Sequence, residues 1–116
     1  MNLQQDPGLI VIIEDPFIRN FLRTVLKRAG HNTVAVGAQE GLDLVSSGKS
    51  RITAVITNTP KLFRAVAGRF PLIYTTSCPD PEEMRGFENC CCVLQKPFQP
   101  GQLLEALNEV SAAVIP

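Results

Sequence analysis

Leu9-Ile10-Val11-Ile12-Ile13-Glu14-Asp15-Pro16 is the stretch that decides how the rest of the chain is read. An unbroken aliphatic run, mostly β-branched, stops at two adjacent carboxylates and a proline. A strand that is apolar on both faces belongs inside a parallel sheet with helices above and below. Its polar tip then lies at the carboxyl edge of that sheet, where doubly wound folds place their sites. Glu14 and Asp15 are therefore expected at a site.

Working outward, Asp15-Pro16 reads as a helix start, with the Asp15 side chain as N-cap and proline at the first helical position. Phe17, Ile18, Phe21, Leu22, Val25 and Leu26 recur at helical spacing. Arg19, Arg23, Lys27 and Arg28 fall on the wet side, and Gly30 is placed to end the helix in a left-handed conformation. Strand two is expected at Thr33 to Val36. A second helix follows over Gln39 to Ser47, with Leu42, Leu44 and Val45 inward and Gly48 closing it. Strand three runs from Ile52 to Thr57 and ends at Asn58. Thr59-Pro60 opens a small third helix carrying Leu62, Phe63 and Val66 and stopping near Gly68.

Strand four is Leu72 to Thr76. Asp80-Pro81-Glu82-Glu83 is another N-cap, proline and acidic first turn, opening a fourth helix with Met84 and Phe87 inward. That helix is weakened by Gly86. Strand five is expected at Cys90 to Leu94, then Lys96-Pro97-Phe98. Pro100 opens the last helix, with Leu103, Leu104, Leu107 and Val110 on one face. Strand and helix alternate five times, and short right-handed connections make this a parallel α/β sandwich.

Composition narrows the function classes. The 116 residues suit one domain, and 45% hydrophobic residues are enough for a core. Residues 1–8 are expected to be a flexible lead-in and 9–113 the domain. Eleven basic and eleven acidic residues cancel, which argues against direct nucleic-acid binding, and the low aromatic content argues against a base-stacking platform. The first eight residues lack a signal-peptide pattern. The longest apolar run falls far short of the ~20 residues that span a bilayer. The expectation is a cytoplasmic protein with no membrane partner and with free thiols at Cys78, Cys90, Cys91 and Cys92. Three consecutive strand residues alternate faces, so Cys90, Cys91 and Cys92 cannot converge on one metal ion; packing in a central strand is the better reading. His31, in a turn, is expected in solvent.

Taken together, Ile-Val-Ile-Ile-Glu-Asp-Pro, Ala-Val-Ile-Thr-Asn, Pro-Leu-Ile-Tyr-Thr-Thr-Ser and Lys-Pro-Phe resemble the receiver domain of two-component response regulators. The resemblance runs from about Leu9 to Val110. It implies a flavodoxin-like, doubly wound five-stranded parallel sheet of order 2-1-3-4-5 with five helices. It implies that Glu14 and Asp15 match a Mg²⁺-binding acidic pair, which supplies hard oxygen ligands. Asn58 stands at the phosphoacceptor position, Thr76 matches the switch hydroxyl, and Lys96 matches the phosphate-contacting lysine. A cis Lys96–Pro97 bond is implied as well.

This chain departs from the pattern at the centre. A carboxamide at Asn58 is a poor nucleophile at phosphorus, and losing a carboxylate weakens any Mg²⁺ site. Val93 stands where many relatives carry a switch aromatic, and the segment after Asn58 is short for the family. Thr57 or Thr59 as substitute acceptor lacks an evident general base. Without an acceptor aspartate, Lys96 is expected to pair with Glu14 or Asp15.

The resemblance thus implies an atypical, non-enzymatic signal-transduction receiver that is not phosphorylated and acts by protein–protein interaction. Its implied partners are a histidine kinase, a phosphotransfer protein or an output domain, with a homodimer through the last helix, strand five and the fourth helix. One alternative is a phosphorelay receiver that keeps a residual response to Mg²⁺ or phosphate analogues. The other is a small flavodoxin-like nucleotide or flavin binder. Against it, Glu14-Asp15-Pro16 repels phosphate and lacks a donor where a cradle of free N–H groups is wanted.

Overall fold

The structure, a computed structural model, describes residues 8–87 and 91–114. The strands are β1 (Leu9–Ile13), β2 (Thr33–Ala35), β3 (Ile52–Thr57), β4 (Leu72–Thr76) and β5 (Cys91–Gln95). The helices are α1 (Pro16–Arg28), α2 (Ala38–Ser47), a 3₁₀ segment (Pro60–Val66), α3 (Pro81–Met84) and α4 (Pro100–Val114). All strands pair in parallel in the order β2-β1-β3-β4-β5. The flavodoxin-like sheet and its five helical segments are as expected. Strand placements for β3 and β4 agree to the residue. The readings for residues 1–7 and for Cys90 lie outside the described residues.

The pleat divides the core in two. Ile10, Ile12, Ala54, Ile56, Ile73 and Leu94 face one side, where Leu22 and Leu26 of α1 and Leu103, Ala106, Leu107 and Val110 of α4 cover them. Val11, Val55, Leu72 and Tyr74 face the other, against Val45, Phe63, Val66, Phe70 and Phe87. Successive strand residues alternate faces, so β1 feeds both cores. No helix among the described residues is long and apolar enough to cross a membrane.

Several local expectations are corrected. Asp15 holds the N-cap position, and its carbonyl accepts the Arg19 N–H at 2.8 Å, but its carboxylate makes no capping bond. The Asp15 N–H is committed to Glu14 Oε1 at 3.0 Å, and the carboxylate stays in solvent. Phe17 is 86% exposed rather than inward; it sits at the margin of the stripe defined by Ile18, Leu22, Val25 and Leu26. Gly30 does take φ +90° after Ala29, and the His31 N–H reaches back to Leu26 O at 3.0 Å. That bond ties down the turn, and His31 is half-buried.

The third helix is 3₁₀. At three residues per turn the inward set is Pro60, Phe63 and Val66, all buried, and Leu62 falls off that face. The fourth helix shrinks to α3, four residues long. Asp80 caps it as read, accepting the Glu82 N–H at 3.0 Å. Arg64 then takes the carbonyls of Arg85 and Glu82 at 2.9 and 2.6 Å, and Gly86 turns away at φ +96°. β5 is an edge strand, not a central one. Cys92 is half-buried there and packs against the α1/α4 core.

Candidate functional site

Parallel strands deliver their carboxyl ends to one edge. Ile13 pairs with Thr57, Thr57 with Tyr74, and Thr75 with Leu94. One residue beyond the last β1–β3 and β3–β4 pairs, Glu14, Asn58 and Thr75 stand in one row. They carry the parity of Ile12, Ile56 and Ile73, hence of the α1/α4 face. Lys96, one residue past the end of β5 and two after Leu94, carries the same parity. Asp15, Thr59 and Thr76 carry the opposite parity. A two-residue period therefore sorts the candidate residues into two sets before any side chain is considered.

The contacts follow that sorting. The Glu14 side chain is wholly buried and fully partnered. Lys96 Nζ lies 3.1 Å from its Oε2 and 3.2 Å from its Oε1. Thr75 Oγ1 donates to Oε2, and the Asp15 N–H donates to Oε1 at 3.0 Å. A buried carboxylate is costly unless paired and hydrogen-bonded, and here one ammonium, one hydroxyl and one amide meet it. The cluster ties the tips of β1, β4 and β5 together across β3. The expected pairing of Lys96 is thus made, to Glu14 rather than Asp15.

Thr76, matched from sequence to a switch hydroxyl, does not enter this cluster. Its Oγ1 donates to Cys78 O at 3.2 Å and accepts the Cys78 N–H at 3.1 Å, bracing its own loop. Thr57 Oγ1 lies 3.2 Å from Thr59 Oγ1 and accepts the Thr59 N–H at 3.0 Å. Among the described residues, no side chain hydrogen-bonds the Asn58 carboxamide. Sequence reasoning placed Thr75 within strand four but gave it no role. What singles it out is parity combined with register across β3: Thr75 follows Ile73 by two as Glu14 follows Ile12, and the two isoleucines share a face.

Mg²⁺ demands octahedral oxygen ligands with little tolerance. Both Glu14 oxygens are already engaged, Asp15 is exposed on the other parity, and Asn58 brings no charge. Among the described residues no three His, Cys, Asp or Glu side chains converge on a point. The donor set as arranged does not fit the ion.

Beside the cluster, α1 and residues 96–98 frame an apolar groove of about 750 Å³, lined by Phe17, Ile18, Phe21, Pro97 and Phe98. Phe21 and Phe98 meet edge to face with centroids 5.7 Å apart. The Lys96–Pro97 bond is cis, as expected.

No protein-family model and no curated protein sequence matches the chain. Solved structures do match. The signal receiver domain of an HD domain-containing protein from Pseudomonas fluorescens Pf-5 superposes with a TM-score of 0.76 at 19% identity, covering 97% of this chain and 91% of that one. A response regulator receiver protein from Sinorhizobium medicae gives 0.74 at 18%, covering 93% and 96%. Chemotaxis protein CheY4 of Vibrio cholerae gives 0.72 at 21%, covering 91% and 99%. This chain has the receiver fold.

Proposed function

We propose that this chain is a receiver-like signalling module that takes no phosphoryl group and works by docking to protein partners. The supporting observation is Asn58 at the tip of β3, in the row of Glu14 and Thr75, where the receiver fold calls for a nucleophilic carboxylate. The amide carries no charge to attack phosphorus or to help hold a metal. The docking face is α3, β5 and α4, where Val93 presents 36% of its surface on an edge strand in place of a switch aromatic. Partners of the corresponding class are histidine kinases, phosphotransfer proteins and output domains, or a second copy of the chain.

The test is incubation with acetyl phosphate, and separately with beryllofluoride, in the presence of Mg²⁺. Unchanged intact mass and unmoved amide resonances are expected; a stoichiometric adduct overturns the reading. Asn58→Asp discriminates the phosphorelay alternative. Full phosphorylation of that variant with a changed partner affinity marks a pocket that lost only its nucleophile.

A further inference from the structure

The Glu14 cluster carries more than the absence of a nucleophile. A buried carboxylate at the carboxyl edge of a sheet needs a cation, and Lys96 supplies it from within the chain at 3.1 and 3.2 Å from the two oxygens. Thr75 and the Asp15 N–H take remaining lone pairs. Among the described residues, no buried side-chain nitrogen or oxygen lacks a partner. The ammonium is also anchored in a way a free ion is not. Lys96 follows β5 directly and precedes Pro97 and Phe98, and Phe98 packs on Phe21 of α1.

We infer that the Lys96 ammonium is the resident cation of this pocket: it neutralises Glu14, excludes a divalent ion, and fixes the 96–98 loop against α1. The chain is accordingly independent of metal both for folding and for the shape of the α1 groove. Thr75 is a positioning residue in this arrangement. It holds Glu14 Oε2 toward Lys96 across the tip of β3. This inference rests on the pocket geometry alone and survives if the docking role fails.

The test begins with the unaltered chain. Its amide resonances at Glu14, Asp15, Asn58 and Lys96 are followed through a Mg²⁺ titration into the millimolar range, with melting recorded in Mg²⁺ and in EDTA. No saturable shift is expected, and Tm stays within about 1 °C. A saturating shift at these residues overturns the inference. Lys96→Met frees Glu14, so that variant shows a saturable Mg²⁺ shift at these residues where the unaltered chain shows none. It also loses amide protection at Phe98. A folded Lys96→Met chain that still ignores Mg²⁺ overturns the claim that Lys96 is what excludes the ion. Should Lys96→Met unfold, Glu14→Gln with Lys96→Met decides. The double variant is expected to fold and to ignore Mg²⁺, and a double variant no more stable than Lys96→Met alone overturns the neutralising role.

Discussion

At the scale of single residues, the pocket is governed by which side chains can reach a buried carboxylate. Thr75 is fully buried and gives its hydroxyl to Glu14. Valine keeps its shape and removes only the donor. Thr75→Val is expected to cost about 1–3 kcal/mol, the desolvation of a carboxylate oxygen left short of a partner. Urea unfolding checks it, with the midpoint falling and the slope unchanged.

Cys92 gives a second residue-scale expectation. Burial first, and then the hydrogen bond and charge of Glu109 at 3.6 Å, push its thiol above the ordinary range. The thiolate is the nucleophile, so a raised pKa means less of it at any given pH. Cys92 is therefore alkylated more slowly than exposed Cys78 near pH 8, and its rate climbs only as pH rises further. Glu109→Gln removes the charge and speeds Cys92 while leaving Cys78 alone. Site-resolved mass spectrometry over a pH series reads both rates.

At the scale of elements, close approach sets the tolerances. Gly41 of α2 lies so near β1 that an added Cβ would meet Ile13 Cδ1 at 2.8 Å and Cγ1 at 2.9 Å. Alanine ordinarily favours a helix over glycine by about 1 kcal/mol. Here Ile13 is buried and its Cγ1 cannot retreat without leaving its rotamer, so overpacking of about 1–3 kcal/mol prevails. Gly41→Ala is expected to lower Tm, and Gly41→Ala with Ile13→Val to recover part of the loss.

The same scale shows what the sequence could and could not reveal. Runs rich in β-branched residues, Ile52-Thr53-Ala54-Val55-Ile56-Thr57 and Leu72-Ile73-Tyr74-Thr75-Thr76, located β3 and β4, since such side chains suit a buried pleated sheet. Asn58 was legible because it sits where such a run ends. The 3₁₀ geometry of residues 60–66 was not, since Leu62-Phe63 and Val66 satisfy a 3.6-residue period as readily as a three-residue one. Nor was the brevity of α3, which depends on Arg64 arriving from another element to take its last carbonyls. The choice of Thr75 over its neighbour Thr76 required the register of β1 against β4 through β3. No single strand carries that information.

At the scale of the whole molecule, one sheet separates two cores that share no side chain. Val110 on α4 belongs to one and Val45 on α2 to the other. Each valine-to-alanine change removes two buried methyl groups' worth of contact and leaves a small cavity, about 2 kcal/mol. A single domain of this size unfolds cooperatively, so both losses are read from one transition. Cavity relaxation, however, is local. The central strands present opposite side chains to the two faces, and a gap under α4 closes by movement of Leu107 and Leu103, not by displacement of Val11 or Val55. Val45→Ala combined with Val110→Ala is therefore expected to be additive within about 0.5 kcal/mol. Leu107→Ala with Val110→Ala, one turn apart on the same face, shares a cavity and is expected to depart from additivity by more than that. Equilibrium denaturation of the two cycles measures it. A coupled cross-sheet pair would mean that the strands themselves shift when either core is thinned, and that the Glu14 cluster at their tips moves with them.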